Sequence, residues 1–134
     1  MKKLTPSNKI YVGKSEIINA GRGVFARRDI KKGEIIETSP IIEISKYDTS
    51  NLKDSFLVTY FFYFGKNKQR LATALGFGSI YNHSQKPNIT YKIKPRDKLI
   101  EFTALDDINK DDELTFNYQN RKNLKHNKRP LWFE

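Results

Sequence analysis

The chain contains no cysteine, which excludes disulfides and thiolate metal sites, and its two histidines are too few to build a usual zinc site unaided. No bound metal is therefore expected. It also lacks any apolar run long enough for a signal peptide or a membrane span. The basic stretch from Met1 to Pro6 leads only into more polar sequence. These absences create the expectation of a soluble intracellular protein, cytoplasmic or nuclear, with no membrane partner. In that setting the glycosylation sequons starting at Asn82 and Asn88 read as parts of another motif. Acidic residues are in deficit, 15 against 25 basic ones, for a formal charge of +10. Such an excess favours approach to nucleic acid, an acidic protein surface or an anionic ligand, and it is equally what a solvated surface rich in Lys and Asn produces.

What is present points to one folded unit. A length of 134 residues leaves room for a single core, so residues 1–134 are expected to form one domain. Nine Phe and seven Tyr give each buried position a large apolar payload, which argues against disorder. The first third reads as short strands broken by glycine: Lys9 to Val12, Gly23 to Ala26, Ile35 to Glu37 and Ile41 to Ile44. From Asn51 the residues Leu52, Phe56, Leu57, Tyr60, Phe61 and Phe64 recur at helical spacing, which predicts a short helix ending at Gly65, with a buried aromatic strand as the competing reading. Leu71 to Ile80 is small and punctuated by glycine. Strands follow at Ile89 to Ile93, Leu99 to Ala104 and Glu113 to Tyr118. One internal echo stands out: Ala26 to Lys32 and Ala104 to Lys110 share the pattern Ala-x-x-Asp-Ile-x-Lys, each ending a strand and entering a turn at Gly33 or Asp111.

Three segments combine glycine, polar groups and aromatics. In Gly21-Arg22-Gly23 the glycines let backbone approach a ligand closely, although a plain turn accounts for them as well. Gly76 to Asn88 contains Asn82 and His83, an amide beside an imidazole in a stretch crowded with turn-formers. A satisfied structural pair is the alternative there. In Glu113-Leu114-Thr115-Phe116-Asn117-Tyr118, strand alternation puts Tyr118 on the face of Phe116, where a hydroxyl beside an aromatic wall can orient a cationic amine; a core tyrosine is the alternative.

Taken in order, Gly21 to Ala26, then Asn82-His83-Ser84 with Pro87-Asn88, then Glu113 to Tyr118 resemble the SET-domain family of protein-lysine methyltransferases, over about residues 9–118. In compactness the chain looks most like the minimal viral and bacterial members. The resemblance implies a mainly β fold with short helices, a β-clip-like arrangement of small curved sheets whose C-terminal motifs form a knot-like core. It implies S-adenosyl-L-methionine as cofactor, held by Gly21, Arg22, Gly23, Asn82 and His83, and Tyr118 as the catalytic tyrosine. Tyr60, Phe116 and Tyr118 would line the channel for the substrate lysine, and Phe at position 116 would leave room for di- or trimethylation. The acceptor would be a protein, either a histone tail or another lysine-containing protein; oligomeric state is open, a homodimer included. Two departures accompany the match: Asn117 stands where the family usually has an acid, and the cysteine-rich zinc module of many members is absent.

The tail of residues 119–134 carries Arg121, Lys122, Lys125, Lys128 and Arg129, then Leu131, Trp132 and Phe133. Aromatics are wasted on a disordered end, so the expectation is that they fold back as a lid, with Trp132 against the cofactor. Two rivals remain at this level, a catalytically inactive SET-fold module that binds nucleic acid or chromatin through its basic surface, and a purely structural β-rich adaptor.

Overall fold

Ile10–Lys14 (β1) and Arg22–Ala26 (β2) form an antiparallel hairpin in register from Ile10 opposite Ala26 to Lys14 opposite Arg22. The computed structural model describes residues 3–52, 54–66 and 69–118. The two expected segments on either side of Pro40 join into one ten-residue strand, Ile35–Ile44 (β3). Proline has no N–H to give a ladder, and Pro40 sits where β3 changes partners. Residues up to Pro40 pair with Leu99–Ala104 (β8), and Ile41 onward pairs with Arg70–Ala74 (β5).

The predicted helix ending at Gly65 is replaced by three pieces. A helix covers Lys46–Leu52 (α1) and buries none of its residues, a 3-10 segment covers Phe56–Tyr60, and Phe61–Phe64 is a strand (β4). The competing strand reading holds for the last of these. Phe62 and Phe64 alternate inward while their backbone pairs with β5, and a paired edge with two buried rings outweighs the helical spacing of the residues before it. The strand β5 itself was not foreseen, because Ala72, Thr73 and Ala74 are small and carry little strand signal.

The remaining strands are Asn82–His83 (β6), Ile89–Lys94 (β7) and Glu113–Phe116 (β9). The last stops two residues before Tyr118. A four-stranded sheet has the order β1-β2-β9-β6 and a five-stranded sheet the order β4-β5-β3-β8-β7. Every pairing is antiparallel except β6 with β9. Around that parallel pair the chain wraps closely. Ser84 N–H donates to the Phe116 carbonyl and Asn88 N–H to that of Thr115 (3.1 Å each). The Asn88 side chain donates to the Glu113 carbonyl and accepts from Thr115 N–H, both at 2.9 Å.

The core between the sheets is aromatic at its centre. Phe102, fully buried on β8, lies 4.6 Å from Tyr81, 6.3 Å from Phe62 and 6.2 Å from Phe116, measured between ring centroids. Val24, Ile30, Ile36, Ile89, Ile100 and Leu114 fill the space around them.

The two copies of the internal echo pair with each other. Ile30 and Ile108 exchange both backbone hydrogen bonds (2.8 and 2.7 Å). Asp29 accepts from Lys110 N–H and Asp107 accepts from Lys32 N–H, each at 2.8 Å. Gly33 N–H then donates to the Ala104 carbonyl and Asp111 N–H to that of Ala26 (2.9 and 2.7 Å). Both turn residues have positive φ, +86° and +70°, the region in which Gly and Asp are tolerated best.

Candidate active site

The parallel contact of β6 and β9 brings two of the three sequence segments together, and the glycine segment on β2 joins them through side chains. Asn82 supplies the join. Its Nδ2 donates to the Arg22 carbonyl and to Glu113 Oε2, both at 2.9 Å. Glu113 in turn accepts from Ser15 Oγ (2.8 Å) and from Glu16 N–H (3.3 Å). A Cβ on Gly23 would stand 2.4 Å from Glu113 Oε2 and 3.0 Å from Asn82 Nδ2, so a larger residue there would have to displace the side chains of Glu113 and Asn82. Gly21 differs: its φ is +75° and no atom lies within 4 Å of where a Cβ would be. Beside it Arg22 is exposed, so this bend presents open backbone and a guanidinium.

The second half of the site surrounds Tyr118. Its N–H donates to His83 Nδ1 at 3.0 Å, which assigns the proton of a neutral His83 to Nε2, and the two rings lie 5.3 Å apart. Its hydroxyl donates to the Tyr81 carbonyl. Phe116 stands 4.9 Å from the Tyr118 ring, 5.2 Å from Tyr91 and 5.8 Å from Phe62. Although β9 ends at Phe116, the expected pairing of Phe116 and Tyr118 on one face is therefore present. Tyr60, half-buried at the end of the 3-10 segment rather than on a helix, is close enough to Tyr118 to perturb it. Burial, then the neighbouring Tyr60 and Glu113, raise the Tyr118 pKa far above its ordinary value. Phe116 also lines a cleft of about 230 Å³ together with Pro87, Ile89, Thr90, Tyr91, Leu105 and Asn117.

The structure thus gathers Tyr60, His83, Phe116 and Tyr118 in one place and fastens Gly21 to Gly23 to Asn82. Trp132 lies outside the described residues, as does the lid expected of the tail. Among the described residues no group of three or more His, Asp or Glu could hold a metal ion, and no helix is long and apolar enough to cross a membrane. Sequence reading missed three participants. Glu113 was quoted within a motif without a role, Tyr81 carries the carbonyl that Tyr118 meets, and Glu37 on β3 reaches the Tyr81 hydroxyl.

The chain is similar to proteins of one known family. The SET domain family model matches residues 21–119. Over 115 residues the chain is 34% identical to a histone-lysine N-methyltransferase of Schizosaccharomyces pombe described as specific for lysine 37 of histone H3, covering 85% of this chain and 71% of that one. Among solved structures, a candidate histone methyltransferase of Plasmodium falciparum superposes with a TM-score of 0.65 at 32% identity, covering 86% of this chain and 95% of that one. The polycomb repressive complex 2 of Chaetomium thermophilum, in an autoinhibited conformation bound to S-adenosylmethionine, superposes with a TM-score of 0.70 at 26% identity. That match covers 85% of this chain and 15% of the larger one.

Proposed function

Because the chain belongs to the SET-domain family and is a protein-lysine methyltransferase, we propose that its methyl donor is S-adenosylmethionine, its catalytic tyrosine is Tyr118 and its acceptor is a histone tail on nucleosomal DNA. The observation that carries this reading is the double anchoring of Tyr118, by its backbone to His83 and by its hydroxyl to the Tyr81 carbonyl. A hydroxyl so held, protonated and half-buried among aromatic rings, can orient an amine without spending energy on reorganisation.

The residues present suit the cofactor. The open bend at Gly21 and the exposed Arg22 offer backbone and a guanidinium to its carboxylate. One Nδ2 hydrogen of Asn82 is given to the Arg22 carbonyl of that bend and the other to Glu113 Oε2, which leaves Oδ1 as the side-chain atom for an ammonium. His83 and, from outside the described residues, Trp132 complete the set. When bound, the cofactor supplies an activated methyl group on a positively charged sulfur. The protein's own part is to admit the lysine between Tyr60, Phe116 and Tyr118, to favour its uncharged form by desolvation, and to hold it in line.

Phe116 has no hydroxyl to hydrogen-bond an amine, and its ring is shared with five aromatic neighbours. We therefore assign di- or trimethylation as the product, which mass spectrometry of the modified peptide reads directly; a product that stops at monomethyl-lysine refutes it. Charge is what supports the nucleosomal setting. A chain of formal charge +10 gains nothing from a free basic tail and much from the DNA beneath it.

The test is transfer of labelled methyl from S-adenosylmethionine to nucleosomes and to free histones, comparing the wild type with Tyr118→Phe. The wild type labels nucleosomes, and the variant does so about 10²-fold more slowly while still binding cofactor. A wild type that binds cofactor but labels no acceptor would instead be a binding module on a SET fold.

A further inference from the structure

Glu37 is a carboxylate on β3 with only 8% of its surface exposed, and nothing in the reading above uses it. Its two oxygens are committed separately. Oε1 accepts from the Tyr81 hydroxyl and Oε2 from Phe77 N–H, both at 2.9 Å. The backbone is shaped for this: Gly76 has φ +63°, and a Cβ there would stand 2.7 Å from Glu37 Oε2. Burying a carboxylate costs several kcal/mol unless it is well bonded, and Tyr81 could have been Phe as far as packing is concerned. Its ring is already enclosed by Phe102 at 4.6 Å and Phe116 at 6.3 Å.

Tyr81 is held at two ends that belong to different sheets. Its hydroxyl is tied to β3 of the five-stranded sheet, and its main chain leads directly into β6 of the four-stranded one. Between those ends lies the carbonyl that accepts the Tyr118 hydroxyl. We propose that Glu37 is a positioning residue for methyl transfer: by fixing Tyr81 it fixes the carbonyl against which the Tyr118 hydroxyl is aimed. The proposal rests on Tyr118 being the catalytic tyrosine. Burial raises the Tyr81 pKa, by desolvation first and then through Glu37 itself, so the tie runs from the tyrosine hydroxyl as donor to Glu37 as acceptor.

The experiment compares four variants on the full chain: Glu37→Gln, Tyr81→Phe, Tyr118→Phe and the double variant E37Q/Y118F. Cofactor binding is followed by calorimetry and methyl transfer to nucleosomes by steady-state kinetics. Glu37→Gln keeps the volume but can no longer accept from both donors, and Tyr81→Phe keeps ring and carbonyl while releasing the tie. Each is expected to lower kcat about tenfold with KM for both substrates within about twofold. In the Tyr118→Phe background Glu37→Gln is expected to change kcat by less than about twofold, since the hydroxyl it serves is gone. A slow Tyr118→Phe enzyme alongside Glu37→Gln and Tyr81→Phe enzymes with wild-type kcat overturns the proposal alone. So does an undiminished effect of Glu37→Gln in the Tyr118→Phe background. A Tyr118→Phe enzyme as fast as the wild type overturns the catalytic assignment, and this proposal with it. Should Glu37→Gln fail to fold, Tyr81→Phe, which leaves the carboxylate and Phe77 bonded, decides on the same kcat criterion.

Discussion

Burial and the neighbouring Tyr60 and Glu113 keep the proton on Tyr118, and its hydroxyl already donates to the Tyr81 carbonyl. A tyrosine in that state is no base for the substrate lysine. The amine has to shed its proton to solvent, and its neutral fraction grows with pH toward a free-lysine pKa of about 10.4. The rate is accordingly expected to climb with pH over the range in which the enzyme is stable, and Tyr118→Phe lowers that profile without shifting it. A step in the wild-type pH–rate curve that disappears in the variant would assign the base to Tyr118 after all. Glu37 has a thermodynamic signature as well. Desolvation raises its pKa above the ordinary 4.5, against the pull of its hydrogen bonds, so the folded chain binds that proton more tightly than the unfolded one. The sign follows: this contribution is fully present below the unfolded value and is lost as pH rises through the folded one. Melting temperature measured from acid to neutral pH should fall in the wild type relative to Glu37→Gln. Tyr118, Asn82, His83 and the glycines stand out in sequence as candidates because they sit in short motifs. Glu37 does not, since a glutamate between Ile36 and Thr38, with Glu34 three residues before it, stands out only when Tyr81, 44 positions away, is placed on it.

Among the elements, the strands β1, β2, β7, β8 and β9 lie within a few residues of where the sequence puts them, because alternation and glycine are local signals. The stretch read as a helix ending at Gly65, with a buried aromatic strand as the competing reading, is 3-10 helix over Phe56–Tyr60 and strand over Phe61–Phe64, the latter for a non-local reason. Those last four residues are a strand only because β5 lies alongside to receive them, and β5 announces itself weakly. The repeated Ala-x-x-Asp-Ile-x-Lys pattern was visible as a reused turn. What sequence could not show is that its two copies complete each other, each aspartate accepting from the backbone of the opposite turn. Either Asp29→Ala or Asp107→Ala should cost about 1 kcal/mol, the usual net worth of one such bond, and the two losses should nearly match in urea unfolding. Gly33→Ala adds strain at φ +86°, where its counterpart Asp111 already carries a side chain.

For the molecule as a whole, stability is concentrated in one aromatic centre. Removing the Phe102 ring should cost about 3–5 kcal/mol, a large part of the roughly 5–15 kcal/mol that holds an ordinary domain together. Phe102→Ala is thus expected to unfold at markedly lower denaturant than the wild type. The net charge acts at the same scale: affinity for nucleosomes should fall steeply with added salt, while affinity for a free histone peptide changes little. The placement of β9 between β2 and β6 also sets a timetable. Chain emerging from the ribosome has made both neighbours long before it makes the strand that belongs between them, and contacts that close such distant stretches form slowly. Tyr118 is the last residue of the described fold to be synthesised, two places after β9 ends. A nascent chain that has not reached Tyr118 therefore holds most of its eventual framework and still lacks the tyrosine proposed for catalysis.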